Sequence, residues 1–364
     1  MTKTDVFLHS FVSVLPTHSR SQKEITDWIL DSHERSSYRP LNLKMLRHFC
    51  VGPKQIEQRY FECSDIVKDW GERSIYKIDP ESPCGAEIDE RNLYYAEKSQ
   101  RILQEFYPDN NEYPEHLIHV TCTGYTSPGA AQIFFSKRRE SPEITHAFHM
   151  GCYAALPAIR MAQAISLAHN KIVDIVHIEM CSLHLNSSLH TPEQMVVQSL
   201  FSDGNIKYKT STTAPDKGFK VGKIHELLIP ESLNDMTWIP GPFGMEMSLS
   251  RDVPAKIGDK LNYFLDQLSS KLGKKKSDLL QKGIFAIHPG GPKIIEAVQR
   301  KFNLSHEQVQ DAQKVFLKRG NMSSATLPHV WKEIIDRNHT KGTDVVSLAF
   351  GPGLTIFGSH FEVV

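Results

Sequence analysis

A cysteine, a histidine and an asparagine stand where side chains can meet a substrate. Cys152 follows Gly151, at the end of the strand candidate Ile144–Met150, and opens a long apolar helical stretch, CYAALPAIRMAQAISLAHN. The positive end of such a helix favours a thiolate over a thiol. Gly151 lets the backbone turn sharply and lets a substrate approach closely. A nearby imidazolium would lower the thiol pKa further. The competing reading makes Cys152 a small buried hydrophobe, as many free cysteines are. His288 ends the apolar run Ile284–Ile287 and precedes Pro-Gly-Gly-Pro, so its side chain projects into a loop-lined crevice or serves a structural role. Asn321 follows Gly320 and precedes Met-Ser-Ser, where its simplest role is a helix N-cap. Cys, His and Asn together also fit thiol proteases, so the trio alone leaves the reaction open.

The elements that must position these residues are read from periodicity. Residues 20–110 read as mostly helical. Leu117–Thr123 and Ile172–Ile178 are β-branched runs expected as buried strands, and GYTSPG (124–129) breaks the first. Residues 205–240 are polar and punctuated by Pro and Gly, which suggests a boundary between two halves there. Val253 starts an amphipathic helix with Ile257, Leu261, Phe264, Leu265 and Leu268 on one face. Pro292 is placed as the first residue of the helix after PGGP. A further helix is expected from about Ser324 to Arg337, then strands VVSLAF and LTIFGSHFEVV around Gly351-Pro352-Gly353. Strands alternating with helices imply α/β layers, with chemistry at strand ends and helix N-termini. The halves divide as 1–225, carrying the cysteine, and 226–364, carrying the histidine and asparagine.

Composition narrows the function classes. The chain has 364 residues, 40% of them apolar, and 42 basic against 42 acidic side chains. That balance argues against a nucleic-acid or membrane-surface partner. The N-terminus has no long apolar segment of a secretory signal, and no apolar run reaches membrane-spanning length. The six cysteines (50, 63, 84, 122, 152 and 181) form no CxxC pair, which argues against a disulfide framework or a structural zinc site. A cytoplasmic protein with free thiols is expected. The pair His146-x-x-His149 is read as structural, so no metal and no cofactor are expected. Lys274-Lys275-Lys276 reads as a solvated face.

Longer words around the trio carry a resemblance. VTCTGYTSPGA (120–130), HMGCYAALPAIRMA (149–162), AIHPGGPKII (286–295), GNMSSAT (320–326) and AFGPGLT (349–355) resemble the chalcone synthase or type III polyketide synthase family. Order and spacing agree from about residue 40 to the end. The resemblance implies the thiolase fold: two similar βαβαβαββ halves in a five-layered α-β-α-β-α body, as a homodimer. It implies that Cys152 takes a starter from acyl-CoA, and that His288 and Asn321 hydrogen-bond the malonyl-CoA thioester carbonyl while CO2 leaves. Two fixed donors at that oxygen would stabilise charge where it develops.

Other positions follow from the same resemblance. Phe201, in QSLFSDG, matches a gatekeeper phenylalanine, with core packing as its alternative. Met247 takes the place of a second one. His184, Trp238 and Ser323 fall where the family lines its cavity, and Cys122 is either a second pocket thiol or a buried structural one. EMCSLH (179–184) resembles bacterial members that make alkylpyrones or alkylresorcinols. Arg47 and Lys54 are the candidates for CoA phosphates, and an acyl carrier protein is a further candidate partner. Two alternatives remain at this point: a single-condensation β-ketoacyl synthase of the fatty-acid initiating type, and a non-catalytic thiolase-fold partner subunit.

Overall fold

The computed structural model describes residues 5–109 and 113–364. Among them the strands run β1 (Phe7–Val14), β2 (His18–Ser21), β3 (Gln58–Phe61), β4 (His116–Thr121), β5 (Glu143–Phe148), β6 (Val173–Glu179) and β7 (Gly204–Ser211). They continue with β8 (Gly218–Leu228), β9 (Met236–Gly241), β10 (Gly244–Leu249), β11 (Ile284–Ile287), β12 (Asp344–Gly351) and β13 (Thr355–Val363). Hydrogen bonding links nine of these in the order β11-β12-β13-β8-β1-β7-β6-β4-β5, while β9 and β10 form a hairpin and β2 and β3 a small ladder.

The same pattern occurs twice in that order. In β4-β6-β7-β1, the first pair is parallel and β7 runs antiparallel to both neighbours. In β11-β12-β13-β8, the first pair is again parallel and β13 is antiparallel to both neighbours. The two groups meet through a short antiparallel contact, Phe7↔Lys220 to His9↔Gly218. Parallel strands covered on both faces read as continuous apolar runs. Accordingly every residue of β4 and β6 is buried.

Two helices lie against strands of both groups. Ala155–His169 touches β4, β6, β7 and β13, and Thr326–Asp336 touches β11, β1 and β7. The first is built from small apolar residues: Ala155, Leu156, Ala158, Ile159 and Ala162 are all fully buried. Pro157 lies in its first turn, where no intrahelical N–H is required of it.

Several expectations need correction. The stretch 205–240 is not an irregular linker. It holds β7 from its second residue, all of the long β8 and the start of the β9–β10 hairpin, and residue 225 falls inside β8. The polar pattern arises because the outer part of β8 alternates between half-buried and exposed positions. Residues 20–110 hold three helices, Gln22–Arg35, Leu43–Phe49 and Ile88–Phe106, but the segment between the last two is mainly irregular. Cys152 lies in a 3-10 turn, Gly151–Tyr153, just ahead of the α-helix that starts at Ala155. A second 3-10 turn, Ser323–Ala325, precedes the helix Thr326–Asp336. No helix among the described residues is long and apolar enough to cross a membrane.

Leu156 tests the role of the helix behind Cys152. Leu156→Ala should cost about 2–5 kcal/mol, because its fully buried side chain is held on all sides. The denaturation midpoint in urea should fall with an unchanged slope.

Candidate active site

Three chain turns bring the trio together. After β5 the backbone passes through His149 and Gly151 at positive φ, 60° and 74°, and presents Cys152. A Cβ on residue 151 would lie 2.7 Å from Pro352 Cδ, so both the dihedral and the space require glycine. His288 follows β11 and is tied by its N–H to Leu348 O at 2.7 Å. Asn321 is anchored through its backbone: its N–H donates to Leu200 O (3.1 Å) and its carbonyl accepts from Ser202 N–H (2.8 Å). Asn321 and Phe201 therefore form a parallel bridge, which ties their two backbones together.

The Asn321 side chain has two ends with different tasks. Oδ1 accepts from Ser323 N–H (2.9 Å) and from the Thr326 hydroxyl (3.2 Å), so it braces the turn, while the N-cap positions expected of it from sequence fall to Met322 and Ala325. The amide N–H end remains for Cys152, whose thiolate it stabilises by a hydrogen bond. Cys152 Sγ lies 4.0 Å from Ser323 Oγ. Both ring nitrogens of His288 are buried without a hydrogen-bond partner among the described residues. Such groups are uncommon in folded proteins, and here they face a cavity. Cys152, His288 and Asn321 line this cavity of about 800 Å³ together with Phe201 and Met247. Its volume suits a ligand of cofactor size.

Burial reverses the expected electrostatics. The Cys152 thiol is pushed up to about 12, mainly by burial and in part by the Glu179 charge, against the hydrogen bonds from Ser323 and Asn321. The His288 imidazole is pushed down to about 3 by burial. The resting site thus holds a neutral thiol and a neutral ring, not the thiolate and imidazolium expected from a helix N-terminus. Each charge is penalised when formed alone in a dry site. Forming both together, by passing the thiol proton to the ring, offsets part of that penalty.

The remaining sequence candidates fall at different depths. Ser323, Cys122 and Trp238 line a void of about 30 Å³ that also touches Cys152, Phe201 and Met247. Cys122 Sγ accepts from Gly151 N–H at 3.0 Å, and its carbonyl accepts from Trp238 Nε1–H at 2.7 Å. Burial and the Glu179 charge hold the Cys122 thiol well above its ordinary range. His184 lines a further void of about 20 Å³. Its two nitrogens are engaged, Nε2–H by Thr123 O (2.9 Å) and Nδ1 by Met245 N–H (3.0 Å). It is therefore a wall group with no free nitrogen for acid–base work.

Arg47 and Lys54 do not line the cavity. Arg47 is turned away into an ion pair with Asp27 at 2.5 Å. The basic residues on the wall are His48, Arg251 and Lys293. Sequence reasoning missed them, although Lys293 directly follows HPGGP. It also missed Glu179, inside the quoted EMCSLH word. This carboxylate is fully buried and accepts from Cys122 N–H (3.0 Å), the Thr123 hydroxyl (2.7 Å) and the Ser324 hydroxyl.

Comparison with known proteins follows the same lines. Residues 224–363 match the family described as chalcone and stilbene synthases, C-terminal domain. Polyketide synthase 37 of Dictyostelium discoideum is 28% identical over 264 residues, covering 68% of this chain but only 9% of its own length. The alpha-pyrone synthesis polyketide synthase-like Pks18 of Mycobacterium tuberculosis is 27% identical over 258 residues, 68% of this chain and 65% of its own. The crystal structure of PKS-I from the brown alga Ectocarpus siliculosus superimposes with a TM-score of 0.85 at 21% identity, covering 100% of this chain and 99% of that one. The chain thus has the thiolase-like α/β fold of type III polyketide synthases over its whole length.

The neutral resting pair has a measurable consequence. With the thiol raised to about 12, alkylation of Cys152 by iodoacetamide should rise roughly tenfold per pH unit across about pH 6–9, because reactivity tracks the thiolate fraction. Rates followed by peptide mapping check this. A plateau already reached at about neutral pH would show a preformed thiolate instead.

Proposed function

We propose that this chain, a member of the chalcone synthase-like family, is a malonyl-CoA-dependent acyltransferase that builds polyketides. Cys152 Sγ attacks the carbonyl of a starter acyl-CoA and releases CoA. His288 takes the thiol proton as Sγ attacks and returns it to the departing CoA thiolate, which leaves the ring neutral. Malonyl-CoA then enters the same cavity. Its thioester oxygen accepts hydrogen bonds from the neutral His288 ring and the Asn321 amide, and CO2 leaves. The enolate attacks the Cys152-bound acyl group and returns a chain two carbons longer on CoA. The observation that carries this reading is the shared cavity of about 800 Å³ lined by all three residues, with both His288 nitrogens unclaimed among the described residues. Donors held in place before the charge develops need no reorganisation when it does.

His48, Arg251 and Lys293 take the part of phosphate binders for CoA, in place of Arg47 and Lys54. The working assembly is read as a homodimer, by family likeness alone. The starter is read as a medium or long aliphatic acyl group, extended two or three times and released as a pyrone or resorcinol-type ring. Met247 supports that reading. With Phe201 it borders the large cavity and both inner voids, and an unbranched side chain can move aside for a flexible chain. Each buried methylene would contribute about 0.8 kcal/mol, favouring longer starters.

Two measurements test the reading. His288→Ala and Asn321→Ala should each slow malonyl-CoA decarboxylation by about 100- to 1,000-fold, the usual loss for one such donor. Asn321→Ala should still acylate at Cys152, because activation of the thiol uses the ring. A folded Asn321→Ala protein that fails to acylate would contradict this division of labour. For the starter, kcat/KM should rise from hexanoyl- to dodecanoyl-CoA and be low for benzoyl-CoA, and Met247→Trp should shift the preference to short chains while leaving decarboxylation intact. A preference for benzoyl-CoA would refute the aliphatic reading.

A further inference from the structure

The helix Pro192–Leu200 ends directly before Phe201, and distant parts of the chain take up its last carbonyls. Helix C-termini leave such groups without intrahelical partners. Here Ser199 O accepts from Gln22 Nε2–H (2.7 Å), and Leu200 O accepts from Asn321 N–H (3.1 Å). Gln198 O (2.7 Å) and Phe201 O (2.5 Å) both accept from Nη1 of Arg59, a residue of β3. Arg59 and Asn321 thus grip the same helix end, and Leu200 O lies between the two carbonyls that Arg59 holds.

Arg59 is only 1% exposed, and its Nε and Nη2 have no hydrogen-bond partner among the described residues. A cation in that position carries a desolvation cost that an apolar side chain of similar size would avoid. What it supplies is one nitrogen that reaches two carbonyls three residues apart. Its stem also lies beneath the residue before Asn321: a Cβ on Gly320 would stand 3.5 Å from Arg59 Cδ and 3.0 Å from Leu200 O. The neighbouring Tyr60 extends the grip, since its N–H donates to Ser202 Oγ (3.0 Å) and its carbonyl accepts from Asp203 N–H (2.9 Å). Ser202 N–H in turn donates to Asn321 O (2.8 Å). Cys152 and His288 have other anchors: Gly151 N–H on Cys122 Sγ (3.0 Å) and His288 N–H on Leu348 O (2.7 Å).

We infer that Arg59 is a positioning residue for the decarboxylating half of the reaction: by fixing Phe201 and the helix end it sets where the Asn321 amide stands. Loading of the starter on Cys152 does not depend on it. The inference rests on the polyketide reading of the cavity. A donor stabilises a developing charge only at the right distance, so a small shift of Asn321 slows loss of CO2 while the thiol and the ring still work.

The test measures two rates on the full chain: hexanoyl transfer from hexanoyl-CoA to Cys152, by intact mass, and release of CO2 from malonyl-CoA. Arg59→Met should slow decarboxylation by about 10- to 100-fold, the scale of misplacing a group at the chemistry, and leave hexanoyl transfer close to wild type. In Asn321→Ala, adding Arg59→Met should slow decarboxylation no further, because the group being positioned is already gone. If Arg59→Met does not fold, Arg59→Lys serves in its place: it keeps the cation on a stem one bond shorter and should show the same split, with a smaller loss. Both rates falling together in a folded variant, neither falling, or a full additional loss in Asn321→Ala would overturn the proposal. The polyketide reading fails separately, if the wild-type chain neither acylates Cys152 nor releases CO2 from malonyl-CoA.

Discussion

The buried carboxylate of Glu179 is the constraint around which this site is arranged. An anion taken out of water survives only if its lone pairs are filled. Here the donors come from two separate segments: Cys122 N–H and the Thr121 and Thr123 hydroxyls after β4, and the Ser324 hydroxyl three residues after Asn321. The direction of the network is forced. Ser324 gives its only hydroxyl proton to Glu179 and so accepts from His177 Nδ1–H (3.0 Å), and His177 Nε2 then accepts from the Tyr208 hydroxyl (2.9 Å). No member can turn around without stranding another, so β6, β7, the loop holding Cys122 and the turn holding Asn321 are locked as one unit.

The same charge acts on the Cys152 thiol. Glu179 raises the Cys152 thiol, adding to burial, while Asn321 and Ser323 oppose it. The site therefore joins two demands that conflict. The carboxylate that anchors Ser324, three residues after Asn321, also adds to the burial that keeps the Cys152 thiol neutral at rest. A neutral, buried thiol resists adventitious oxidation and alkylation, since the thiolate is the reactive species.

Phe201 has a comparable double attachment. Its backbone is bridged to Asn321 and its carbonyl is held by Arg59, while its ring borders the large cavity and both inner voids. Met247 stands opposite in the β9–β10 hairpin, which is tied to the helix Pro192–Leu200 by Gln194 Nε2–H on Met247 O at 2.8 Å. One wall of the gap is thus braced by a buried cation, and the other is a flexible thioether side chain. Any widening of the inner space falls to the methionine, because moving Phe201 would pull on Asn321.

Much of this was legible from residue order. Runs such as LIHVT and IVDIVHI read as strands because parallel strands covered on both faces need apolar residues at every position. Gly151, His288 before PGGP and Asn321 after Gly320 marked the turns, since the backbone at each is decided by its immediate neighbours. The polar stretch after residue 204 hid β7, which buries polar side chains such as Asn205, Lys207 and Thr210, and β8, whose half-exposed outer positions carry no apolar run to betray them. What only the tertiary structure decided is everything that depends on distant partners. The protonation states of Cys152 and His288 follow from burial by elements far apart in the chain. Arg47, a candidate by family resemblance, is paired with Asp27, twenty positions away in sequence, and lies off the cavity wall. Local sequence sets backbone turns and side-chain chemistry; desolvation and pairing are sums over whatever the fold brings near, and no short window of sequence contains those neighbours.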